Sequence, residues 1–355
     1  MHKKEFIGLH EVSFPAIMVD GTSIPNAFVL SHWKGLNTHP FADDTSAGIV
    51  LNALQQQISA LDEIKVVTAT HFDVDGFLGV WALFYPEIAL KFENILRQAA
   101  LIGDFREFDV ENPDAIEGLK VVCLLNALEK KLFYPPFGAK QETKACVSKF
   151  MYFIPAFSQM LIHINEYKNE WKDEFEKVLA DCDVLYSSNS NIQKYPNIGL
   201  VVIRTPQPLH YYALFSATKG YDAVLSIYNH RQYELEYKYV TWIDLVSRPT
   251  FPRANLAPLA QTLNQEEDSG FTWEADKITE GGAMLRLKNQ HLSRKEKFAN
   301  PYERLFASSS IHPDDLEKTV IEFYQKAYQD VLPKKQWTWK QIRELNEHIQ
   351  HNKLT

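Results

Sequence analysis

The feature that most restricts what this chain can fold into is a change of character across residues 64–85. Residues 64–69 (IKVVTA) are rich in β-branched side chains and read as a strand. They run into the polar turn HFDVDG (71–76), after which residues 77–85 are apolar almost all round and read as a buried helix. A strand, a polar turn and a buried helix in that order belong to α/β architecture, in which groups at the carboxyl ends of strands build ligand sites. His71, Asp73 and Asp75 occupy alternate positions at that strand end. Two carboxylates and an imidazole converging there suit a hard or borderline cation such as Mn²⁺ or Mg²⁺. Gly76 lets the chain turn without a side chain blocking the ion. The plainer alternative is a turn in which Asp73 or Asp75 only caps the helix. Leu78, Val80, Trp81 and Leu83 bury that helix, however, and carboxylates kept unpaired beside it would be costly. An EF-hand is excluded: with Asp75 as the fifth loop position, the twelfth falls on Ala82 instead of the required glutamate.

Before this turn, residues 26–30 (NAFVL) read as a strand ending in Ser31-His32, followed by a loop with Gly35, Asn37 and Pro40. Asp43, Asp44, Thr45 and Ser46 offer N-cap chemistry for a helix over 47–57. Residues 86–181 read mostly as helix, broken near 134–138 (YPPFG), with one strand expected at 119–125. Thereafter the pattern predicts strands at 184–187, 200–204 and 223–228, and a helix at 209–218. Residues 233–245 should pair with 223–228 through the 229–232 turn. A helix at 255–263 and strands near 271–276 and 283–287 complete a mixed sheet with helices on one side. Residues 314–349 read as two helices separated at Pro333. The predicted class is α/β: a sheet domain with a helical insertion at 1–185, a smaller αβ domain at 186–290, and a helical extension at 291–355.

The formal charge of −8, with Lys and Arg scattered, gives no footprint for a duplex backbone and excludes long nucleic acid as the expected partner. A small phosphorylated molecule or nucleotide remains compatible, since a bound cation and a few arginines supply local positive charge. The three cysteines, Cys123, Cys146 and Cys182, form neither a zinc-knuckle pattern nor a disulfide framework and read as buried thiols. No apolar run approaches the ~18 residues of a membrane span, and no apolar stretch follows the N-terminal lysines, so a cytoplasmic location without membrane contact is expected. A homo-oligomer stays open.

The turn resembles the first motif of the DHH phosphoesterase superfamily, a strand leading into N/H-x-D-x-D-[AG] and a buried helix; His71 to Gly76 carry the likeness. That family also has a lone metal-binding aspartate at a strand end, a D-H-H stretch, and a further aspartate ahead of a small-residue helix. Ser31-His32-Trp33 and then Asp43-Asp44-Thr45-Ser46-Ala47 are similar to the last two, with Ser31 and Trp33 replacing the aspartate and the second histidine. The pair precedes the DxDG turn here and follows it in the family, so the resemblance implies a permuted or diverged relative, with His39 available as a ligand. It further implies a DHH-like sheet domain and a second domain whose arginines hold substrate, for which Arg248 and Arg253 are the candidates beside a Gly281-Gly282 turn. Those arginines read equally well as a solvated loop, and the glycines as a plain hairpin turn.

A haloacid dehalogenase-type phosphatase is the alternative, but Phe77 stands where that family has threonine after the glycine. The chain also resembles an uncharacterised bacterial family with an H-F-D-x-D-G signature and a D-F-R-E-F segment like residues 104–108. Asp104 is then either a further ligand or a helix-end salt-bridge partner. The expected function is a divalent-metal-dependent phosphoester or phosphoanhydride hydrolase. His71, Asp73, Asp75, Asp104, Asp43 and Asp44 would be its ligands, His32 and Asp75 its catalytic groups, and Arg248 and Arg253 its substrate contacts. A catalytically silent nucleotide- or protein-binding descendant is the other expectation.

Overall fold

The computed structural model describes residues 3–12, 15–37, 40–133, 142–239, 241–282, 284–288 and 299–351. The chain is mixed α/β and divides into two units, one of Met1–Val178 with Asp244–Ser247, the other of Leu179–Ile243 with Arg248–Thr355. Among the described residues, no helix is long and apolar enough to cross a membrane.

In the first unit, β1 (Glu5–Phe6), β2 (Ala16–Val19), β3 (Ala27–Leu30) and β4 (Val66–Ala69) form a sheet in the order β1-β4-β2-β3. Every neighbouring pair is parallel. All four residues of β2 are buried, as an interior strand covered on both faces requires. Helix α1 (Ser46–Gln55) starts at Thr45, whose hydroxyl accepts the Gly48 amide. After the short α2 (Ala60–Glu63), α3 (Val74–Phe84) starts at Asp73, whose carboxylate accepts the Gly76 amide. Helices α4 (Pro86–Lys91), α5 (Glu93–Phe105), α6 (Pro113–Phe133), α7 (Glu142–Ile162) and α8 (Lys168–Leu185) follow. Phe77 of α3 packs among Phe72, Phe150, Phe153 and Phe157, which fixes α7 against the helix that carries the DxDG turn.

Two predicted strands here are helix. Residues 119–125 lie inside α6, where Leu119, Val122, Cys123 and Leu125 are buried; a short apolar run fits a buried helix as well as a strand. Residues 184 and 185 end α8, and Leu185 packs on the second sheet. Strands β1 and β2 carry too few residues to show alternation and lay outside the sequence reading. The predicted break at 134–138 and His39 lie outside the described residues. Cys123 and Cys182 are buried free thiols, and Cys146 is half-buried.

The second unit is built on β5 (Asn191–Tyr195), β6 (Leu200–Thr205), β7 (Ala223–Tyr228), β8 (Gln232–Tyr237), β9 (Thr272–Ala275) and β10 (Met284–Lys288), in the order β5-β6-β7-β8-β10-β9. Only the β6–β7 pair is parallel. Leu185 and α9 (Tyr211–Ser216) cover one face, on Val201, Ile203 and Val224. Helices α10 (Ala257–Glu266), α11 (Pro313–Ala327) and α12 (Trp339–His351) cover the other, on Leu200, Val202, Leu225 and Leu235. Helices therefore lie on both faces, not one, because β6 and β7 present apolar side chains to both. The predicted 233–245 strand stops at Tyr237.

Candidate metal centre

Strands β2, β3 and β4 are in register at Val19, Leu30 and Ala69, so the residues that continue them, Asp20, Ser31 and Thr70, emerge along one edge. Asp20 turns out of β2 with φ +48°, a left-handed conformation that aspartate tolerates better than most residues. Its side chain is buried and receives hydrogen bonds on Oδ1 from Ser46 Oγ (2.9 Å) and Trp33 Nε1 (3.1 Å).

Two histidines aim at this carboxylate. The His32 Nδ1 sits 2.6 Å from the Asp44 carbonyl, which can only accept, so Nδ1 carries the proton. His32 Nε2 then faces Asp20 Oδ1 at 3.4 Å and Asp104 Oδ2 at 3.7 Å. For His71, Thr70 Oγ1 donates to the Asp20 carbonyl (2.9 Å), leaving its lone pair for the His71 Nδ1–H (2.9 Å). His71 Nε2 faces Asp73 Oδ2 at 2.9 Å and Asp20 Oδ2 at 3.4 Å. Both rings thus donate Nδ1–H to a fixed oxygen acceptor and present Nε2 toward opposite oxygens of one aspartate. Anchoring the far nitrogen in this way is how proteins orient imidazole ligands.

Asp75, in the first turn of α3, is buried and accepts the Ser46 amide on Oδ2 (2.7 Å) and the Ala47 amide on Oδ1 (2.8 Å). It therefore holds the start of α1 against the start of α3. Asp20, His32 and Asp75 offer ligand atoms within 4.8 Å of one another, and so do Asp20, His71 and Asp73. Asp20 belongs to both groups. Gly76 makes this possible by absence of bulk: a Cβ there would stand 3.1 Å from Asp20 Oδ2 and from Asp73 Oδ1.

The electrostatics record the crowding. Burial raises the proton affinity of Asp20, but the His32 hydrogen bond and the charges of His71 and His32 outweigh it and bring the pKa to about 2. Asp75 is pushed well above the usual carboxylate range by burial, with Asp20, Asp104 and Asp73 adding to the effect against His32. Burial likewise pushes Asp104 up to about 7, with Asp73 and Asp20 adding and His32 and His71 opposing. The Asp73 charge, against burial, takes His71 up to about 10. Four carboxylates and two imidazoles share this sheet edge.

Of the residues singled out in the sequence, the structure brings together His32, His71, Asp73, Asp75 and Asp104. Asp43 and Asp44 are engaged elsewhere. Asp43 accepts from Arg97 Nη1 (3.1 Å) and the Thr45 amide (3.1 Å). The Asp44 carboxylate takes the amides of Val246 (2.7 Å) and Ser247 (2.9 Å) and the Ser247 hydroxyl. What Asp44 contributes toward the centre is its carbonyl, to His32. In the second unit, Arg248 pairs with Asp222 (2.8 Å), donates to the Tyr221 and Pro249 carbonyls, and lies over the Tyr239 ring. Arg253, expected at a substrate, is buried with its donors on the carbonyls of Tyr239, Ile278, Glu280 and Gly281. Satisfied in that way, it clamps loops. Asp20 is the residue that sequence reading missed. Its signal was the run AIMV ending in Asp-Gly, a four-residue strand stopped by a carboxylate.

The chain belongs to a family of unknown function (DUF6687), whose model matches residues 2–335. This agrees with the expected likeness to an uncharacterised family. A comparison with curated proteins finds no match.

Proposed function

We propose that this member of the family is a hydrolase of a phosphoester or phosphoanhydride bond, acting on a small phosphorylated or nucleotide substrate with two divalent cations, Mn²⁺ or Mg²⁺. The observation that carries the reading is Asp20, whose Oδ1 faces His32 and whose Oδ2 faces His71. A carboxylate shared between two imidazole–carboxylate groups is the donor arrangement of a two-ion site. The donors fit: oxygen with one imidazole nitrogen per group suits a hard or borderline cation. The charge fits as well: once ionised, Asp20, Asp73, Asp75 and Asp104 would carry four negative charges, the amount two divalent ions balance.

When bound, such ions supply positive charge to a phosphoryl oxygen and lower the pKa of a water toward ~7. The chain's own groups supply the rest. His32 and Asp75 would hold one ion and His71 and Asp73 the other, with Asp20 common to both groups. Asp104 stands beside His32 as an additional carboxylate. His32, expected from the sequence to orient or protonate as a catalytic group, is better placed as a ligand, because its Nε2 is the nitrogen aimed at Asp20. The DHH resemblance gains support in one respect: Asp20, ending β2, stands where that likeness calls for a lone aspartate at a strand end.

The test uses the full chain with Mn²⁺ or Mg²⁺ against generic phosphodiesters, nucleoside diphosphates and short oligonucleotides, beside Asp20→Asn. Turnover that needs the cation and is lost in the variant is the expected result; turnover no greater than that of the variant sinks the hydrolase. A second reading, a silent descendant that binds nucleotide, is favoured by Trp33. Its indole N–H spends a lone pair of Asp20 where the resemblance would have a histidine. Stabilisation by nucleotides with none by Mn²⁺ in a thermal-shift titration would select it.

A further inference from the structure

We infer that the segment Asp244–Ser247 governs ion occupancy on the His32 side of the centre and leaves the His71 side alone; the inference rests on the two-ion reading above.

The segment belongs to the first unit, although it lies in sequence within the second half of the chain. Its contacts concentrate on what orients His32. The Asp244 amide donates to the His32 carbonyl (2.9 Å). The Asp244 carboxylate pairs with Lys34 Nζ (2.7 Å) and accepts the Gly35 amide (2.8 Å), fixing the residues just beyond His32. The Asp244 carbonyl accepts from Asn37 Nδ2 (3.2 Å), which also donates to the Asp43 carbonyl (2.6 Å). Val246 and Ser247 clasp the carboxylate of Asp44, whose own carbonyl is the acceptor that sets the His32 tautomer. Two anchors of this histidine, its main-chain carbonyl and the carbonyl its ring donates to, therefore rest on one clasp, while its amide donates to Ser46 Oγ (3.4 Å). Asp244 is buried, so its charge-assisted bonds are little weakened by solvent, whereas the Ser247 bonds to Asp44 lie at the surface.

His71 is oriented in a different way. Its partners are Thr70 and Asp73, one and two residues away, and its position follows from the turn itself. Loosening the clasp should misplace one imidazole and spare the other. Removing a group that orients an imidazole ligand weakens metal binding by ~10–100-fold.

The deciding experiment is a Mn²⁺ titration of the full chain by calorimetry and electron paramagnetic resonance, comparing wild type, Asp244→Ala and Ser247→Ala. The wild type should take up two ions with an exchange-coupled spectrum. Asp244→Ala should keep one affinity and lose ~10–100-fold in the other, so that at intermediate Mn²⁺ the spectrum is that of an isolated ion. Ser247→Ala removes a single hydroxyl and should show the same split to a smaller degree; it decides the question if Asp244→Ala does not fold. Equal loss at both ions, or wild-type uptake in both variants, overturns the clasp and leaves the two-ion reading standing. A wild-type chain that takes up no Mn²⁺ overturns both.

Discussion

The second unit's ion pairs and the edge of the first unit's sheet bury acidic residues by opposite means. In the second unit three buried carboxylates have a cation from the chain itself. Glu234 meets Arg304 at 2.7 Å with Arg286 nearby, Asp222 meets Arg248, and Glu317 meets Arg204 at 2.6 Å. In the first unit, Asp20, Asp73, Asp75 and Asp104 face two imidazoles and one another, and burial, with mutual repulsion adding to it, raises the proton affinities of Asp75 and Asp104. A protein that needed only a stable sheet edge could have used arginines there as well. The difference teaches that Glu234, Asp222 and Glu317 are balanced within their own unit, whereas the carboxylates at the first sheet's edge are not; on the two-ion reading proposed above, cations would complete them.

The comparison breaks most visibly at Asp20. On the two-ion reading, at a free Mn²⁺ concentration one hundred times Kd, each ion would stabilise the folded chain by about 2.7 kcal/mol, so two would contribute about 5 kcal/mol. Asp20→Asn should abolish nearly all of that stabilisation in a thermal melt, and a variant that keeps it contradicts the completion from outside.

Next in size is the internal pairing. Glu234→Ala leaves Arg304 buried beside an apolar site and should destabilise the chain by ~3–5 kcal/mol in urea denaturation, whether or not Mn²⁺ is present. Sensitivity to the metal at this position would blur the distinction between the units.

Asp104→Asn sharpens it from the other side. The folded pKa of Asp104, pushed up to about 7, lies above its unfolded value, so its ionisation costs stability as pH rises through that window and the cost is complete above it. The metal-free variant should therefore melt higher than wild type at pH 8 and no higher at pH 4, while binding Mn²⁺ less tightly. An equal or lower melting temperature at pH 8 argues against the repulsion.

The smallest effect is at the partly exposed Glu267 of the second unit, which accepts from Ser309 Oγ and from the Ser310 amide and hydroxyl. Burial opposes these bonds, yet they bring its pKa to about 2. A depressed folded pKa gives stability that is present above the unfolded value and lost as pH falls toward 2. Glu267→Gln should cost about 1 kcal/mol at neutral pH and flatten acid unfolding between pH 4.5 and pH 2. An unchanged acid limb would show that these bonds do not carry the charge.

Much of this was legible because it is local. The β-branched run before HFDVDG gave β4, the apolar run after it gave α3, and Thr45 behind two aspartates gave the start of α1. His71 and Asp73 meet because the turn folds on itself. His32 and Asp75 meet through parallel pairing of β2, β3 and β4, which no window of sequence displays. Asp20 was hidden for the same reason: its strand has four residues, and its importance lies in being central in the sheet. Asp43 and Asp44 look like ligands by composition, and only the positions of Arg97 and Ser247 decide otherwise. Arg253 resembles a substrate arginine until the carbonyls around it are known.

The clasp formed by Asp244–Ser247 has a bearing on how the protein comes into being. A ribosome that has released everything through Val178 has delivered every strand of the first sheet and both histidines, but not the residues that hold His32 in place. With synthesis at ~5–20 residues per second, the nascent sheet waits seconds for its closing piece. Expression of residues 1–178 alone would reproduce that waiting state permanently.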